Sequence, residues 1–66
     1  MNCTVNGEPT TLREGTTVHE LVLTDVDTER GVAVSLDREV VPRSAWATTR
    51  ITDGAAVEVL VAAAGG

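Results

Sequence analysis

Few groups in this sequence could do covalent chemistry, and they stand apart from one another. Cys3 is the one cysteine and His19 the one histidine, so neither an internal disulfide nor a multi-cysteine metal site can be assembled. Cys3 has no basic neighbour in sequence to lower its pKa, and alternation puts it on the inward side of a strand. It reads as a core residue rather than a nucleophile. His19 falls in the first turn of a helix with no second His or Cys to join it, so it reads as a solvated helix histidine rather than a base or ligand. No pair of residues supports an enzyme. What remains is the chain end, Gly65-Gly66.

A carboxylate is a poor acyl donor until one oxygen becomes part of a good leaving group, as in adenylation with ATP. An adenylating enzyme must bring that carboxylate against an α-phosphate inside a narrow channel. Glycine has no Cβ, so its backbone can approach closely, and its φ/ψ freedom lets a tail thread and turn. Two terminal glycines arise by chance in roughly one chain in 200, so the setting must carry the reading. Here the pair follows a strand directly, in a short domain with no other reactive centre. Extended, residues 63–66 reach on the order of 13 Å, enough to enter a partner's active site while the domain docks outside.

The elements that position this tail must come from one small core. The chain has 66 residues, 42% of them hydrophobic, and a domain of that size buries only about 60% of the surface its unfolded chain exposes. Such a core leaves little room for a closed, substrate-sized pocket. Five basic and ten acidic side chains give a net charge of −5, and there is no lysine. Nucleic-acid binding, which needs clustered cations, is disfavoured. An acidic surface suits a basic protein partner, though solubility alone would also explain it. The N-terminus lacks a secretion signal, and the longest apolar run, Val59 to Ala64, is far below the roughly 20 residues that span a bilayer. The expectation is a cytoplasmic protein away from the membrane.

Met1 to Val5 alternates as a half-buried strand, with Met1, Cys3 and Val5 on one side. Asn6-Gly7 supplies hairpin-turn chemistry, and Pro9 to Arg13 reads as a weak returning strand at an edge, where proline is tolerated. Thr17 and Glu20 form a capping box. Val18, Leu21, Val22 and Val26 make the apolar face of a helix that ends near Thr24 or Asp25. Val32 to Leu36 alternates with Val32, Val34 and Leu36 inward. Asp37-Arg38 turns the chain into the short strand Val40-Val41, ended by Pro42. Ser44 to Ala47 suits one helical turn, Asp53-Gly54 is a turn, and Ala55 to Ala62 is the last strand, with Val57, Val59 and Val61 on one face. The order strand, strand, helix, strand, short strand, strand is that of the β-grasp fold, an α+β arrangement in which a mixed sheet of four to five strands wraps one helix. The expected organisation is a β-grasp domain over residues 1–62 and a flexible tail over 63–66.

The outward positions of that sheet are small and apolar: Ala33 and Ser35 on one strand, Leu60 and Ala62 on the last. A contiguous patch there would mark a docking surface centred on Leu60, whereas scattered exposed residues would mean nothing. Arg43 suits either an acidic partner or solvent. Trp46, the one aromatic residue, is a packing anchor or an interface residue; a domain this small favours packing.

The segments Thr16-Thr17-Val18-His19-Glu20-Leu21, Val32-Ala33-Val34, Val40-Val41-Pro42-Arg43-Ser44-Ala45-Trp46 and Asp53-Gly54, with the closing Gly65-Gly66, resemble the ThiS family, the ubiquitin-like sulfur carriers of thiamine biosynthesis. The resemblance covers essentially the whole chain, and Val-Pro-Arg-x-x-Trp at 41–46 is its most specific part. It implies that a ThiF-like enzyme adenylates the terminal glycine with ATP and that a cysteine desulfurase relay supplies sulfur. The resulting thiocarboxylate then donates that sulfur on a ThiG-like thiazole synthase. Gly66 would be the acyl carrier and Gly65 the access residue, with no bound cofactor or metal. Two positions depart from the family pattern. Asp37-Arg38 stands where Asn-Gly or Asp-Gly is usual, which leaves the turn type open, and Ala64 stands where glutamine is common. A sister carrier serving molybdopterin synthesis or another thiolation pathway shares the same tail. A β-grasp regulatory or RNA-binding appendage shares the helix start, but should be more basic and need not end in a diglycine.

Overall fold

The computed structural model describes residues 1–25 and 31–61. Expectations for Val26, Ala62 and the tail over 63–66 therefore lie outside the described residues. Strand β1 (Asn2–Val5) is followed by β2 (Glu8–Thr11), helix α1 (Val18–Asp25), β3 (Val32–Leu36), β4 (Glu39–Val41), a single 3-10 turn (Arg43–Ala45) and β5 (Ala56–Val61). The five strands form one sheet in the order β2-β1-β5-β3-β4. β1 and β5 run parallel, while the other neighbouring pairs are antiparallel. This mixed sheet around one helix is the expected β-grasp.

Each hairpin turns on two residues in the left-handed region: Asn6 (φ 51) and Gly7 (φ 82) between β1 and β2, Asp37 (φ 50) and Arg38 (φ 69) between β3 and β4. Positive φ at both central positions gives the strand twist that a two-residue hairpin needs. Asp37-Arg38 thus adopts the backbone that Asn-Gly would, although only one of its residues suits it. The first turn closes so tightly that Glu8 already pairs with Val5. β2 accordingly starts one residue before Pro9 and is over before Arg13, and it lies at the sheet edge as the proline requires.

The helix start is satisfied donor by donor. Val18 N donates to Thr49 O at 2.9 Å and His19 N to Trp46 O at 3.1 Å. Glu20 N donates to Thr17 Oγ1 at 3.2 Å, while Thr17 N donates back to Glu20 Oε1 at 3.0 Å. The last two bonds are the capping box. The first two tie the helix to the segment after the 3-10 turn, so tertiary contacts complete what local sequence begins. Inside, Val18, Leu21 and Val22 pack with Cys3, Val5, Val34, Val41, Val57 and Val59. Trp46, Ile51 and Ala55 close the same cluster.

Three details differ from the sequence pattern. The helical turn begins at Arg43 rather than Ser44, since Pro42 holds the preceding extended conformation. Val32 and Leu36 are only half-buried. Val61, on the same face as Val57 and Val59, is 53% exposed. Alternation assigns a face but not how far the cover on that face extends.

Candidate functional site

Of the residues with reactive side chains, Cys3 is buried in the core cluster. Burial pushes its thiol above the ordinary value of 9.0; the chain's N-terminal amine opposes that shift and Asp53 adds to it. A raised pKa in an enclosed position is the reverse of what a nucleophilic thiol needs. Trp46 is 2% exposed and donates its indole N–H to Val41 O at 2.9 Å, so it is a packing anchor. His19 is half-buried, against the expectation of a solvated residue. It lines a small cleft of about 90 Å³ with Arg43, Trp46 and Ala47, because the indole packs against the start of α1. The Arg43 guanidinium stands 6.0 Å from the centre of the indole ring. Among the described residues, no group of three or more His, Cys, Asp or Glu side chains is placed to hold a metal ion, and no helix is long and apolar enough to cross a membrane.

The outward face of the sheet brings some of the expected docking residues together. Ala33 is the cross-strand neighbour of Leu60, and Ser35 lies opposite both Glu58 on β5 and Val40 on β4. Leu60 is 65% exposed and Val40 78%. The sequence pattern places Val40 only in a short strand; its outward aspect follows from its register with Ser35. Arg43 is not part of this cross-strand group; it lines the cleft with His19, Trp46 and Ala47. Ala62 lies outside the described residues.

Strand β5, which leads into the tail, is clamped at its start and middle by residues from the two turns. At its start Ala56 N donates to Asp37 Oδ1 at 2.9 Å, and Asp37 N donates to Ala56 O at 2.8 Å. Along its first four residues Asn6 does more. Its backbone N–H donates to Val57 O at 2.8 Å, its side-chain Oδ1 accepts from Val59 N at 2.8 Å, and its Nδ2 donates to Val59 O at 3.2 Å. These contacts were not foreseen from sequence, where Asn6 carried only a turn signal.

The family follows from comparison. The model of the ThiS family matches residues 3–66. The chain belongs to the ThiS family. A crystal structure of the thiamine biosynthesis protein ThiS from Geobacter metallireducens is 42% identical, superposes with a TM-score of 0.83, and is covered in full while covering this chain in full. An NMR solution structure of a thiamine biosynthesis protein from the same organism gives 42% identity and a TM-score of 0.81, covering all of this chain and 88% of its own. No curated protein matches the chain. The ThiS match takes in the hairpins, the Val-Pro-Arg-x-x-Trp stretch and the two closing glycines alike.

Proposed function

We propose that this chain is a sulfur carrier of thiamine biosynthesis, loaded at the carboxylate of Gly66. The observation that carries the reading is the ThiS family match, which runs through Gly65-Gly66 in a domain whose one thiol is buried. The chemistry then belongs to the chain end and to partner enzymes. A Gly66 carboxylate oxygen attacks the α-phosphorus of ATP on a ThiF-like enzyme, and pyrophosphate leaves. The terminal sulfur of a persulfide, charged by a cysteine desulfurase, attacks the acyl carbon and displaces AMP. A second thiol of that relay cleaves the acyl disulfide, taking up the relay sulfur as a disulfide and freeing the thiocarboxylate. A ThiG-like thiazole synthase consumes that sulfur.

In this reading residues 63–66 enter the partner's channel, with Gly65 giving access to it. The domain itself is a protein co-substrate rather than an enzyme. Ala33, Ser35, Leu60 and Ala62 form its docking surface, and Arg43 contacts an acidic partner group. The acidic balance of the chain suits a basic partner surface, and the cytoplasm is where ATP and desulfurase meet the carrier.

The test is intact-mass spectrometry after incubation with a ThiF-like enzyme, ATP, cysteine and a desulfurase. Replacement of one oxygen by sulfur is expected, and deletion of Gly66 should abolish it with the fold unchanged. An unchanged mass beside a positive control carrier defeats the reading. Loss of folding on deletion would make the chain end structural.

A further inference from the structure

We infer that Asn6 is a positioning residue for the reactive tail, acting through the backbone of Val59; the inference rests on the carrier reading. β1 and β5 run parallel, and their ladder ends where β1 turns away: the last paired residues are Val5 and Val57. The peptide groups of Val59 on that side therefore have no strand beside them. The Asn6 side chain takes the place of one, with its amide accepting from Val59 N and donating to Val59 O, as a strand residue would. On the other side of β5, β3 pairs as far as Val61 opposite Val32. With Asn6, β5 is held on both sides up to Val59, leaving only two described residues before the tail.

Turn chemistry alone does not account for this. Glycine is the freer residue at φ 51, yet it would leave both Val59 groups without the amide. An asparagine tolerates the left-handed region and carries a donor and an acceptor on one short arm. The hairpin thus fixes the course of β5 as far as Val59, two residues before the strand's last described residue. A tail with a fixed point of departure loses less freedom on entering a partner's channel than one whose last strand residues fray.

The test compares wild type with Asn6→Gly, which keeps the turn conformation and removes the amide. Backbone amide exchange should quicken on the order of tenfold at Val59 and less at the neighbouring Leu60, while Val34 and Val57 keep their protection. With a ThiF-like enzyme and ATP, KM for the carrier should rise by several-fold with kcat within about twofold, because the change lies in binding rather than chemistry. A lower melting temperature with unchanged KM would make the amide merely structural and overturn the inference, as would unchanged exchange at Val59. A wild-type chain that is never adenylated overturns the carrier reading itself, whatever exchange shows at Val59.

Discussion

A thiol inside a protein is reactive only where the fold lets it ionise, and Cys3 is held in the opposite condition. Burial is the largest influence on it and favours the neutral form. Because the folded state keeps the proton to higher pH than the unfolded state, the linked stability is whole below the ordinary thiol value of 9.0 and is lost as pH rises through the raised folded value. Denaturation of the wild type between about pH 8 and pH 10.5 should therefore lose more stability than that of Cys3→Ala. Parallel curves would mean the thiol titrates alike in both states. Iodoacetamide should likewise label Cys3 slowly at neutral pH. Trp46 illustrates the same rule for a hydrogen bond: its indole N–H is buried only because Val41 O is there to accept it.

At the scale of single elements, the two hairpins use the same backbone with different residues. Arg38 carries a φ of 69 that costs a residue with a Cβ about 1–2 kcal/mol. Glycine avoids that strain but loses more freedom on folding. Arg38→Gly should thus stabilise the domain by about 0.5–1 kcal/mol in urea denaturation. A destabilised variant would mean the arginine side chain makes contacts that outweigh the strain.

These turns also mark how far the sequence could be read. Period-two runs with Asn-Gly or Asp between them gave the strands to within a residue or two, and Thr17 with Glu20 gave the helix start, because those signals are local. Ile51 lies in no periodic run, and its burial follows from where the chain returns after Trp46; Ala55 is in phase with Val57 and Val59 and shares their buried face. The amide of Asn6 reaching Val59 spans 53 positions, and such a contact exists only once the parallel ladder does. The chemistry proposed for Gly66 rests on family likeness, since strand and helix patterns do not encode it.

For the whole molecule, the proposed function reduces to presenting a chain end and a face. The outward side of the sheet exposes Leu60 and Val40 around Ala33 and Ser35, with Glu58 in the adjoining row. A charge at the centre of an apolar contact is costly unless paired. Leu60→Asp should weaken docking on a ThiF-like enzyme by tenfold or more, on the order of 1.4 kcal/mol or above, with the melting temperature nearly unchanged because the side chain is already in water. Unaltered affinity in a titration would remove this face as the docking surface. Arg43 lines a separate cleft with His19 and Trp46.

The strand order has a bearing on biosynthesis. β5, the last described strand to leave the ribosome, sits between the first and third. Both hairpins can form early, but they stay separate until this keystone slides in between them. A nascent chain that stops short of residues 56–61 is left with two unjoined flaps and an open apolar interior, prey for quality-control proteases. Aborted translation would thus be cleared as debris instead of circulating as a folded decoy that blocks partner enzymes.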